Sequence, residues 1–211
     1  MTRSPEQGFE EPAAFVARQV RRGNLRHFLF TSAHAGEGTT TTVLGIAREL
    51  HLSHSLRVIA LELNSRTNGF MTALSLQHPP AKYTGESSLS VDDLRSTIPG
   101  YLLLSLGGSA EGRGLEADSV TLLDSLLKTV GKNFDVVLID APPVLDRTEA
   151  LAASHLVDGV ILVVESGRTR VEMLGHIRSL FAREEINLLG SVLTKQKYSI
   201  PGWIYRLLFK A

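Results

Sequence analysis

The chain has 211 residues, 22 acidic and 22 basic side chains, and no cysteine. That length supports one well-buried core and is short for two full domains. Balanced charge gives no electrostatic argument for nucleic acid as a partner, and the missing thiols exclude disulfides and thiolate metal sites and fit a reducing compartment.

In chain order, residues 1–11 are polar, lack the apolar core of a signal peptide, and read as a flexible arm before a single domain over 12–211. A helix is expected from Pro12 to Arg22, with proline in its first turn. Short apolar runs then alternate with helical patterns. The expected strands are His27–Thr31, Val58–Leu61, Tyr101–Ser105, Val136–Ile139, Val160–Val164 and Leu188–Leu193. The Val136 and Val160 runs are continuously apolar, as strands buried on both faces of a parallel sheet are. Helical spacing marks Thr40–His51, Asp118–Val130 (with Asp118 or Ser119 as N-cap) and Arg170–Glu185. This alternation predicts an α/β fold: a doubly wound, mainly parallel sheet with helices on both faces. The stretch Gln77–Leu115, richer in Ser, Gly and Pro, reads as long connections around one short strand. No apolar run reaches bilayer length, so a soluble, cytoplasmic protein is expected.

Between the first strand and the second helix lies Ser32-Ala-His-Ala-Gly-Glu-Gly-Thr-Thr-Thr-Thr42. A strand, a glycine-rich loop and a helix N-terminus in that order make a cradle of backbone N–H groups for phosphate. Gly36, Glu37, Gly38, Thr39, Thr40 and Thr41 are therefore the candidate cofactor-binding residues. Thr39 stands where the usual pattern has lysine, and no lysine lies between Met1 and Pro80. The simpler alternative is a tight turn with the four threonines capping the helix. Downstream, Asp140 ends a buried strand, where a carboxylate is placed to hold Mg²⁺ near phosphates.

Three segments together resemble the cytoplasmic domain of bacterial tyrosine kinases of the capsule and exopolysaccharide type (the CpsD/CapB/Wzc family), within the MinD/ParA group of P-loop proteins. Thr31-Ser-Ala-His-Ala-Gly-Glu-Gly-Thr-Thr-Thr41 is similar to the family's T-S-x-x-P-G-E-G-K-S-T. Val58-Ile-Ala-Leu-Glu-Leu-Asn-Ser-Arg66 is similar to V-L-L-I-D-A-D-L-R. Phe134-Asp-Val-Val-Leu-Ile-Asp-Ala-Pro-Pro-Val144 is similar to Y-D-x-V-I-I-D-T-P-P-V.

The resemblance implies Mg²⁺ ligands at Thr40, Asp140 and Glu62, and catalytic roles for Asp140 and Glu62 if the chain is active. It also implies ATP or ADP with Mg²⁺ as cofactor, weakened here. Glu62 and Asn64 replace two aspartates; glutamate is one methylene longer, and asparagine cannot act as a base. Arg66, or an arginine from a neighbouring subunit, is the candidate replacement for the lost lysine.

The family's helical E-x-x-R-x-x-R, which builds a ring-like oligomer, becomes Phe15, Arg18 and Arg21. Its terminal tyrosine cluster is reduced to Tyr198 and Tyr205. Trp203, Ile204, Leu207 and Leu208 share a helical face near Arg206 and Lys210, suited to peripheral membrane contact through 201–211 or to packing on the domain itself. The expected function is a degenerate tyrosine-kinase-like regulator or scaffold of exopolysaccharide or capsule biosynthesis. Its expected partner is a membrane polysaccharide co-polymerase or export protein, with a homo-oligomer allowed and nucleic acid excluded. The alternatives are an active autokinase or ATPase with a relocated cation, and a MinD/ParA-like membrane switch.

Overall fold

The computed structural model describes residues 8–23, 25–63, 69–77, 80–83, 101–106, 116–130 and 133–196. Among the described residues there are seven strands: β1 (His27–Ser32), β2 (Val58–Glu62), β3 (Ala81–Tyr83), β4 (Tyr101–Leu106), β5 (Val136–Asp140), β6 (Gly159–Glu165) and β7 (Leu188–Thr194). The same described residues hold six helices: α1 (Glu10–Gly23), α2 (Thr39–His54), α3 (Gly69–Ala73), α4 (Glu116–Val130), α5 (Thr148–Ser154) and α6 (Val171–Arg183).

The strands form one sheet in the order β3-β4-β2-β5-β1-β6-β7, and every pairing is parallel. Alternate residues of each central strand feed opposite cores, which is why their sequences are apolar throughout. Phe28, Phe30, Val136, Leu138, Ile161 and Val163 pack with α1, α2 and α3. Leu29, Val137, Ile139, Val160, Leu162 and Val164 face α4, α5 and α6. The doubly wound parallel architecture is the expected one.

Several local expectations are corrected. α1 begins at Glu10 instead of Pro12, and Phe9 lies so close to α2 that a Cβ on Gly45 would fall 2.2 Å from its ring. α4 starts at Glu116, ahead of the proposed caps Asp118 and Ser119. The Gln77–Leu115 stretch contributes two strands, β3 and β4, where one was expected. Short α3 and α5 carry too few residues for periodicity to register.

On α1, Phe15 packs into the core it shares with α2. Arg18 is exposed, and Arg21 donates to the carbonyl of His54 at 3.3 Å. Phe15 and Arg21 thus both reach α2. Asn64, Arg66, Tyr198, Tyr205 and residues 201–211 lie outside the described residues. Among the described residues, no helix is long and apolar enough to cross a membrane.

Candidate functional site

β1, β2 and β5 end side by side, and their carboxyl ends carry the candidate residues. In parallel sheets this edge is where ligands bind, at the point where successive connections leave in opposite directions. Here β1 lies between β5 and β6. The chain leaving β1 forms the glycine loop: the Thr31 hydroxyl donates to the carbonyl of Pro142 at 2.7 Å, tying the loop's root to the segment after β5.

Gly36 has φ +83° and Gly38 +96°, left-handed values that glycine adopts without a Cβ penalty. Gly38 is the N-cap of α2 and makes no side-chain capping bond. The threonine-capping alternative is therefore not what the fold uses. Thr42 donates back to the carbonyl of Gly38 at 2.9 Å, and Thr40 turns away to Asp140. At the start of α2 the ladder begins with the Thr42 amide, which donates to the Gly38 carbonyl at 2.9 Å, and the amides of Gly38, Thr39, Thr40 and Thr41 precede it. Four orphan N–H groups at a helix start suit an anion.

Thr40 Oγ1 donates to Asp140 Oδ2 at 2.7 Å. Asp140 is 5% exposed, and burial pushes its carboxyl up to about 7, against the bond from Thr40 that favours ionisation; nearby Glu62 pushes the same way as burial. A hydroxyl and a carboxylate already in contact can share one Mg²⁺ ion, a hard cation that takes oxygen ligands. Among the described residues, no cluster of three or more His, Cys, Asp or Glu side chains could hold a metal. Thr40 and Asp140 therefore fit an ion bound mainly through water and ligand phosphates.

Glu62 is arranged differently. It stands directly beside Asp140 in the β2–β5 register and is 1% exposed. Oε1 accepts from the amide of Gly69 and, at 3.4 Å, from that of Phe70. Oε2 accepts from the Ser105 hydroxyl at 2.7 Å. Burial raises its pKa and these three donors oppose the rise. A Cβ on Gly69 would lie 2.9 Å from Glu62 Oε1 and 3.1 Å from Thr40 Oγ1, so α3 begins in van der Waals contact with the carboxylate edge. Both Glu62 oxygens thus hold structure together, and acting on a metal or a proton would require giving up those bonds.

Glu37 is buried, and its carboxylate points inward. Oε2 accepts from the amide of Ala33 at 3.1 Å, and Oε1 from the Thr169 hydroxyl at 2.5 Å. Only its main chain is offered to a ligand. Thr39 is half-buried and Thr41 exposed.

The loop also meets residues that sequence reasoning did not single out. Thr194 Oγ1 donates to the carbonyl of Glu37 at 2.6 Å and to that of Val164 at 3.2 Å. Lys195 Nζ donates to the carbonyl of Gly36 at 2.7 Å and pairs with Glu165 at 3.1 Å. Arg168 pairs with the same Glu165 oxygen at 3.1 Å, and the two cations hold the Glu165 carboxyl below its ordinary range, Arg168 first. The polar Thr194-Lys195 pair ending an apolar strand was the available signal. Ser105 and Gly69 gave none, because their roles depend on strand pairing.

No family model matches the chain. In sequence it is similar to the tyrosine-protein kinase YwqD of Bacillus subtilis, 24% identical over 178 residues, covering 83% of this chain and 74% of that protein. In structure it is similar to the kinase domain of the Escherichia coli tyrosine kinase ETK: TM-score 0.73, 14% identity, 93% of this chain and 80% of that one. It also superposes on the septum site-determining protein MinD from Pyrococcus horikoshii, solved with Mg-ADP: TM-score 0.61, 17% identity, 86% and 76% covered. The chain thus resembles the bacterial tyrosine-protein kinases, on a MinD/ParA-like P-loop fold.

Proposed function

With that likeness as premise, we propose that the chain is a catalytically degenerate relative of the bacterial tyrosine kinases. It acts as a cytoplasmic regulator or scaffold of capsule or exopolysaccharide biosynthesis and export, partnered by a membrane polysaccharide co-polymerase or export protein. It retains weakened binding of ATP or ADP and lacks robust phosphoryl transfer.

The observation that carries this reading is the state of Glu62. Its two oxygens are taken by Gly69, Phe70 and Ser105, so the residue in a family aspartate position works as a structural anchor. Thr39 adds the loss of the phosphate-facing cation. One hydrogen bond to a charged group contributes about 1.5–3 kcal/mol to binding. Removing a donor aimed at developing transition-state charge costs roughly 10²–10³ in rate. Binding is therefore expected to outlast catalysis, because the loop amides remain.

The test is a titration of ATP and ADP, with and without Mg²⁺, into the wild type and Thr39→Lys. The reading expects weak binding by the wild type and binding tighter by about tenfold or more in the variant. Tight wild-type binding that the new lysine leaves unchanged would count against it.

The same reading allows a homo-oligomer and a peripheral place at the inner face of the membrane through residues 201–211. Co-sedimentation with anionic liposomes, lost when that segment is trimmed, is the corresponding measurement.

A further inference from the structure

We infer that Lys195 and Thr194 are positioning residues of the glycine loop: from the end of β7 they fix two successive peptide planes so that the amides of Glu37 and Gly38 face a bound nucleotide phosphate. The inference rests on the reading that the loop still takes nucleotide phosphates, and it identifies how this chain does so without the loop lysine.

Two loop carbonyls are held from the end of β7. That of Gly36 accepts from Lys195 Nζ and that of Glu37 from Thr194 Oγ1. None of the described peptide bonds is cis, and in a trans peptide the N–H points opposite to the C=O. Holding the Gly36 carbonyl toward β7 therefore aims the Glu37 amide away from β7, and holding the Glu37 carbonyl does the same for the Gly38 amide. The second of these, the Gly38 amide, belongs to the N-cap residue of α2, where intrahelical acceptors are lacking. Successive amides facing one side make a concave anion site.

The alternative is a floppy loop. With glycine at 36 and 38, each with positive φ, the peptide planes have little local steric constraint, so their orientation must come from outside the loop. β7 supplies it. Thr194 is itself fixed by its place in the β6–β7 ladder opposite Glu165, and Lys195 by its ion pair with Glu165, which also holds Arg168. Lys195 has φ +51°, an unusual value for lysine, and its ammonium group reaches the Gly36 carbonyl. Glu165 offsets part of the local positive charge, so the arrangement favours orientation over bare charge. A ligand bound to orientated amides need not reorder them, which lowers the entropic cost of binding.

The experiment measures ADP binding to the full chain by calorimetry, and dissociation of a fluorescent ADP analogue by stopped flow. The proteins compared are wild type, Lys195→Met, Lys195→Arg, Thr194→Val and Thr39→Lys. Lys195→Met is expected to weaken ADP by about tenfold or more, chiefly through faster dissociation. The unfolding midpoint of the ligand-free protein should stay unchanged. Lys195→Arg keeps most of the affinity, since a guanidinium can reach the same carbonyl, and Thr194→Val weakens binding in the same sense as Lys195→Met.

Equal ADP affinity in Lys195→Met and wild type would overturn the inference. So would a loss of affinity matched by a fall in the ligand-free midpoint, or binding confined to Thr39→Lys. Phosphoryl transfer by the wild type would instead overturn the degenerate reading and leave the loop clamp standing.

Discussion

Thr40 Oγ1 and Asp140 Oδ2 lie 2.7 Å apart although 100 positions separate them in sequence. The bond joins the first turn of α2 to the last residue of β5, the two elements that a phosphate and its metal would have to bridge. Beside it, Glu62 is bonded to the first residues of α3 and to Ser105.

Asp140 makes the site sensitive to pH. Its carboxyl moves from 3.8 to about 7 on folding, which penalises the ionised form by about 4 kcal/mol. The folded chain therefore holds a proton that the unfolded chain releases. The associated stability is full below pH 3.8 and is lost as pH rises through about 7. Asp140→Asn should raise the melting temperature relative to wild type more at about pH 8 than at about pH 5. Mg²⁺ selects the ionised form, so the advantage of Mg-ADP over metal-free ADP should grow with pH across the same range in the wild type and be flat in the variant. Parallel pH profiles for the two proteins would contradict this.

Glu62 separates charge from hydrogen bonding. A glutamine there can accept from the Gly69 and Phe70 amides with its oxygen and donate to Ser105 with its nitrogen. Glu62→Gln removes a buried charge and should be neutral or stabilising in urea unfolding. Glu62→Ala strands three buried partners and should cost about 3 kcal/mol. A catalytic glutamate would show the reverse emphasis: little stability lost by alanine, and activity lost by glutamine.

Gly69 and Gly38 should fail for different reasons. In Gly69→Ala the new methyl meets Glu62 Oε1 at 2.9 Å and Thr40 Oγ1 at 3.1 Å, so α3 must move and both carboxylate contacts loosen. In Gly38→Ala the space is adequate, with Thr194 Cγ2 at 3.7 Å, but φ is +96°, a conformation costing an alanine about 1–2 kcal/mol. Amide hydrogen exchange should show new opening at residues 69–73 in the first variant and at the start of α2 in the second.

Glu37 is expected to behave as a core residue. Its carboxylate ties Ala33 to Thr169, from the root of the loop to the segment before α6. Glu37→Ala should lower stability by about 2–3 kcal/mol, and Thr169→Val by less, because the Ala33 bond remains. Urea unfolding of both variants checks the order.

Much of this was legible in the chain itself. Continuous apolar runs such as Val136–Ile139 announced strands buried on both faces, and the Gly36–Thr42 segment announced the glycine turn from β1 into α2. Asp140 was readable as a strand-end acid because the strand before it is unmistakable. Glu62 was readable only as a substitution. That its oxygens meet Gly69, Phe70 and Ser105 depends on β2 pairing with β4 and on a five-residue helix too short to leave a periodic trace. The approach of Lys195 to the loop is likewise invisible in the sequence, because it depends on strand order. β7, 159 positions away from Gly36, approaches it only because β6 lies between β1 and β7.

The central claim is the loss of phosphoryl transfer from an otherwise retained site, and the most direct measurement is incorporation of radiolabelled phosphate. The purified chain is incubated with Mg-ATP, alone and with a tyrosine-rich peptide, beside Thr39→Lys and Asp140→Asn. The account predicts no label on tyrosine in the wild type above the level of Asp140→Asn, even at nucleotide concentrations that saturate binding. Robust tyrosine labelling by the wild type, abolished in Asp140→Asn, would contradict it.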